Sequence, residues 1–106
     1  MALVATEMSR RLIIRPQARL ELAAASDWYD AQDSRLADKF LHTFDTTIEK
    51  VLQNPLQYQK VHGDVRRANI GRFLYGLIYR MSGDEVVVIS CFHGRRNPKG
   101  RQGRAR

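Results

Sequence analysis

Only one of the 106 residues is cysteine. Cys91 therefore has no partner for an intramolecular disulfide, and its place inside the apolar run Val86 to Phe92 points to a buried, reduced thiol. The expected compartment is the cytoplasm. No apolar stretch approaches the ~20 residues that span a bilayer, and Glu7 interrupts the N-terminal segment before a signal-peptide core develops. Membrane insertion and secretion are not expected. His42, His62, His93 and Cys91 show none of the usual metal-ligand spacings, and there is neither a glycine-rich phosphate loop nor a serine elbow. The residues imply no metal and no cofactor. Acidic residues are scarce in the second half: residues 60–106 hold eleven Lys/Arg against three Asp/Glu, whereas residues 1–59 hold seven against eight. The net charge of +7 is thus almost entirely C-terminal, which suits a polyanionic or acidic partner.

What is present reads as one α+β domain with its helices on one sheet. At 43% hydrophobic content the chain can bury a single core. The organising stretch is Val65 to Pro98. Phe73, Tyr75, Leu77 and Tyr79 alternate against Leu74, Ile78 and Arg80, and Val86 to Ile89 are all β-branched. Ser82-Gly83-Asp84 and Ile70-Gly71-Arg72 supply turn chemistry, so Val65–Ile70, Phe73–Met81 and Glu85–His93 are expected to form a three-stranded antiparallel meander. Upstream, Ser9–Arg15 reads as a strand that stops at Pro16, which suits the first position of a helix. Ala18, Leu22, Ala25 and Tyr29 recur at helical spacing to about Gln32, with Leu20, Ala24 and Trp28 as a neighbouring row. Asp33-Ser34 caps a second helix carrying Leu36, Phe40, Phe44, Ile48 and Val51 or Leu52 until Asn54-Pro55. These two helices form an αα-hairpin on the sheet. Leu56 to Asp64 reads as a loop, residues 1–8 as a flexible extension, 9–98 as the domain and 99–106 as a basic disordered tail.

The chemistry-bearing constellation is cationic: Arg66, Arg67, Arg72, Arg80, His93, Arg95 and Arg96, with Tyr75 and Tyr79 nearby. Arginine forks bind phosphate bidentately, and a histidine near neutral pKa transfers protons, which together suit cleavage of RNA by its own 2′-hydroxyl. Strand-end arginines also serve as plain edge guards.

Trp28-Tyr29, Phe40-Leu41, Asn54-Pro55, Val65-Arg66-Arg67, Arg72-Phe73-x-Tyr75, Tyr79-Arg80 and His93-x-Arg95-Arg96-x-Pro98 follow one another in the order and spacing of a known family. Over roughly residues 9 to 98 the chain resembles the RelE/ParE superfamily of type II toxin-antitoxin toxins, often labelled plasmid stabilisation proteins. The resemblance implies a growth-inhibiting toxin held in a hetero-oligomer by a cognate antitoxin with an acidic C-terminal segment. Trp28, Tyr29, Phe40 and Phe44 are the implied antitoxin contacts. Target contacts would be Arg66, Arg67, Arg72, Tyr79, Arg80, His93, Arg95 and Arg96. The His93-Gly94-Arg95-Arg96 ending resembles the ParE-like branch, whose target is DNA gyrase. The alternative is a RelE-like, ribosome-dependent and metal-independent mRNA endonuclease, with Arg80, His93 and Arg96 as catalytic candidates. No tyrosine follows Tyr79, where RelE-like enzymes typically carry a C-terminal tyrosine or histidine. A nucleic-acid-binding module without toxicity is the third class.

Overall fold

The computed structural model describes residues 11–93. The expected extension at 1–8, the start of the first strand at Ser9, and the basic tail at 99–106 lie outside the described residues. Strand β1 (Arg11–Ile14) leads into helices α1 (Pro16–Gln32) and α2 (Ser34–Gln53). A 3-10 turn at Pro55–Gln57 precedes strands β2 (Lys60–His62), β3 (Val65–Asn69), β4 (Tyr75–Ser82) and β5 (Glu85–His93). Pro16 opens α1, where its missing N–H costs no hydrogen bond. Asp33 caps α2 by accepting the Arg35 N–H at 2.9 Å, and its pairing with the Arg35 side chain holds its carboxyl below the usual range.

The sheet has five strands in the order β1-β5-β4-β3-β2, with β1 parallel to β5 and the rest antiparallel. Both helices pack on one face, α1 over β5 and α2 against β3. The α+β reading with a helical hairpin on a sheet therefore holds, and the helix boundaries match. Two details differ. The stretch read as a loop contains β2, which pairs Lys60 with Arg66 and extends the meander to four strands. The expected strand from Phe73 starts only at Tyr75, because Gly71 to Leu74 form a turn closed by Phe73 N–H on the Ile70 carbonyl at 3.0 Å.

The core joins Ala18, Ala25 and Tyr29 of α1 to Phe40, Phe44, Ile48 and Val51 of α2, over Leu77, Tyr79, Val86 and Val88 of the sheet. Tyr29, Phe40, Phe73 and Tyr75 form a four-ring junction with neighbouring centroids 5.0–6.0 Å apart. The second apolar row of α1 stays outside: Leu20 is 69% and Trp28 48% exposed.

Gly63, Gly71 and Gly83 all take positive φ. A Cβ at Gly71 would also lie 2.6 Å from Thr43 Cγ2, whereas one at Gly63 or Gly83 meets nothing within 4 Å. Alanine at Gly63 or Gly83 is expected to cost about 1 kcal/mol, from conformation alone. Gly71→Ala adds overpacking and should cost ~2–4 kcal/mol in total. Urea unfolding of the three variants checks this: equal losses would mean that the turn is not seated on α2.

Candidate functional site

The cationic residues divide by strand register. Arg66 pairs with Tyr79 across β3 and β4 and turns toward the loop after α2. Its Nη1 donates to the Leu56 carbonyl at 3.2 Å and the Tyr58 carbonyl at 2.7 Å. Tyr79 is fully buried, and its hydroxyl donates to the Pro55 carbonyl. Burial pushes its phenol up to about 12, although the Arg66 charge opposes this. The expectation that Tyr79 touches a target is corrected here: alternation makes it an inward residue, and its polar tip is consumed by the chain itself.

Arg67 points to the opposite face, which neither described helix covers. Its Nε donates to Asn69 Oδ1 at 3.2 Å, and its guanidinium carbon sits 5.0 Å from the Phe92 ring centroid. The absence of a side chain at Gly76 makes room for it, since a Cβ there would come within 3.0 Å of Nε. Arg72 is exposed on the turn before β4, and with Arg67 and Asn69 it lines one cavity of about 380 Å³.

Arg80 and His93 are not brought together. His93 pairs with Tyr75 and stands edge-on to its ring at 4.9 Å, whereas Arg80 pairs with Val87. Five residues of β4 separate the two pairs, roughly 16 Å of strand, and opposite parity puts them on opposite faces. An unpaired Ile89, the bulge residue of β5, shifts the register between Ile78 and Tyr79. Arg95 and Arg96 lie outside the described residues.

Of the four residues expected to meet a partner, only Trp28 offers substantial surface. Phe40 is fully buried, while Phe44 and Tyr29 are 6% and 9% exposed, so the expectation for these three is corrected: their helical spacing marks the core face. Trp28 lines a broad groove of about 850 Å³ between α1 and β5, together with Ala24, Ile78 and Phe92. β1 covers β5 only as far as Val88, where the Arg15 N–H bonds the Val88 carbonyl. Beyond that point Glu21 takes over, accepting the Cys91 N–H and the Ser90 hydroxyl, each at 2.8 Å, while Gln17 donates to its other oxygen. Sequence reasoning missed Glu21. The available signal was a carboxylate falling between Ala18 and Ala25 on an otherwise apolar helix face.

Cys91 is 2% exposed, and burial together with the nearby Glu21 charge pushes its thiol up to about 12. That is the opposite of an activated nucleophile. No group of three or more metal-ligating side chains occurs among the described residues, and no described helix is long and apolar enough to cross a membrane.

The raised groups make stability fall in alkali. An unfolded thiol ionises near 9 and an unfolded phenol near 10, while their folded counterparts hold their protons to about 12, so the contribution of these two groups is intact below pH 9 and is lost between 9 and 12. The urea midpoint measured against pH is expected to start falling near pH 9 in the parent and near pH 10 in Cys91→Ala. Coincident curves would show that Cys91 is not held protonated.

A family model described as the ParE toxin of the type II toxin-antitoxin system parDE matches residues 12–98. No curated protein matches at a significant level. Among solved structures, a chain of the chromosomal ParDE toxin-antitoxin system from P. aeruginosa superposes with a TM-score of 0.70 at 18% identity, covering 81% of this chain and 97% of that one. A chain of the toxin-antitoxin complex RelBE2 from Mycobacterium tuberculosis superposes with a TM-score of 0.55 at 16% identity, over 80% of this chain and 98% of that one. At these identities the superpositions speak for the fold, and the family match spans most of the chain; the protein belongs to the ParE toxin family of type II toxin-antitoxin systems, within the RelE/ParE superfamily.

Proposed function

We propose that this toxin arrests growth by binding and poisoning DNA gyrase in the cytoplasm, and that a cognate antitoxin neutralises it. The observation that carries the choice of target is the separation of Arg80 from His93. A metal-independent ribonuclease needs a phosphate-binding cation and a proton-transfer group at one phosphodiester, and these two stand on opposite faces of the sheet. The family match to ParE toxins points the same way. A binding poison requires only a cationic surface; Arg67 and Arg72 supply one among the described residues, and the sequence adds Arg95 and Arg96. The likeness to a RelBE2 chain and the convergence of Arg67 and Arg72 favour the second reading, an mRNA endonuclease acting on the ribosome.

The antitoxin reading rests on the groove between α1 and β5. An exposed tryptophan beside the half-open edge of a strand suits a partner segment that buries the indole and adds backbone hydrogen bonds. The partner's acidic C-terminal segment would complement the basic half of this chain.

Expression without the antitoxin is expected to bring DNA-damage signalling and filamentation while translation continues, and purified toxin should perturb supercoiling. Early translation arrest with codon-positioned mRNA cuts and unperturbed gyrase would replace this reading with the endonuclease. Trp28→Ala should leave toxicity intact but weaken antitoxin binding by about 30-fold, the loss typical of a buried interface tryptophan. Unchanged affinity by calorimetry would move the antitoxin off this groove.

A further inference from the structure

We infer that the cavity between β3 and the turn before β4 is a phosphate-binding site, whose ligand is the phosphoryl group of a nucleotide or of a nucleic-acid strand. The assignment does not depend on which target the toxin attacks. Three side chains on its wall carry the polar chemistry: Arg67, Asn69 and Arg72. Asn69 spends its Oδ1 on Arg67, which leaves its amide NH2 as a donor, so these three groups offer N–H donors toward the space. No carboxylate lines the cavity, and neither arginine forms a salt bridge with another described residue. Two arginines elsewhere do pair, Arg11 with Glu85 and Arg35 with Asp33. Two uncompensated guanidinium groups in one concavity of about 380 Å³ suit a compact anion with several acceptor oxygens.

The site is also held in shape, which distinguishes it from a loose basic patch. Arg67 is held by Asn69 and by the Phe92 ring, and it occupies space that a side chain at Gly76 would take from it. Arg72 projects from a turn closed by Ile70 N–H on Tyr75 carbonyl and Phe73 N–H on Ile70 carbonyl, both at 3.0 Å, with Gly71 seated against Thr43 of α2. A fork oriented before binding loses less entropy on capturing its anion. Leu74, 46% exposed at the same wall, gives an apolar ledge for the sugar or base attached to the phosphate.

The test is a titration of the folded full chain, followed by amide NMR, with inorganic phosphate, adenosine monophosphate and a short single-stranded oligonucleotide. Phosphate is expected to shift the amides of residues 69–75 saturably. Arg67→Gln and Arg72→Gln should each weaken binding by about tenfold, as loss of a charged hydrogen bond does. Arg67→Lys keeps the charge but loses the fork and should weaken it comparably. Arg15→Gln, an equal charge change on an exposed residue outside the cavity, should leave it unchanged. At least tenfold tighter binding of the oligonucleotide than of the monophosphate identifies a nucleic-acid backbone as the source; similar affinities identify a free nucleotide or phosphate, and either result supports the site. Absence of saturable shifts at residues 69–75 overturns the inference. So does full binding by Arg67→Lys, or an Arg15→Gln loss as large as that of Arg72→Gln, because either reduces the effect to bulk charge.

Discussion

The junction of Tyr29, Phe40, Phe73 and Tyr75 is the contact on which the rest of the molecule depends. These four rings come from α1, α2, the turn before β4 and β4 itself, so a single cluster fixes both helices relative to the sheet. Edge-to-face packing at this range is directional, unlike aliphatic burial, and sets the angle as well as the distance of approach. Because Phe73 belongs to the turn that carries Arg72, the cluster also reaches the cationic surface. Core packing and the placement of a cationic side chain are here two ends of one segment.

Using one face of the sheet for the helices leaves the other without a described element on it, and that asymmetry decides what each side chain does. Odd-numbered positions of β4 from Tyr75 to Tyr79 go inward; Ile78 and Arg80 go outward. Arg66 and Arg67, adjacent in sequence, consequently have unrelated tasks. One secures the carbonyls of the segment that follows α2, and the other lies across β4 to Phe92 on the open face. The half-open edge of β5 obeys the same economy of partners: a carboxylate from α1 takes the Cys91 N–H once β1 has run out.

Much of the architecture was legible in the residues. Pro16, Asp33 and Asn54-Pro55 punctuate the helices where their chemistry requires, and Ser82-Gly83-Asp84 marks the β4–β5 connection. β2 was not legible because three residues, KVH, carry too little periodicity to separate a strand from a loop. The site was harder still. Alternation reveals that Tyr79 and Arg80 oppose one another, but the partner of each depends on the register with β5, which slips at Ile89. A bulge of that kind leaves no compositional mark in a run of β-branched residues, so the distance between Arg80 and His93 could not be read beforehand. Burial of Phe40 and Phe44 was implicit in their helical spacing; assigning them to a partner ignored that the chain's own core claims such a stripe first.

The parallel pairing of β1 with β5 carries a temporal consequence. Leu12 lies beside Val86 and Ile14 beside Val88, contacts between the first and last strands of the described chain. Contacts so distant in sequence pay their loop-closure entropy late, which raises contact order and slows folding. During synthesis the helical hairpin emerges with its apolar stripe uncovered, and neither β1 nor α1 finds its seat until β5 has been made. A polypeptide interrupted anywhere before β5 thus leaves β1 without the strand it pairs with and α1 without the strand it packs on.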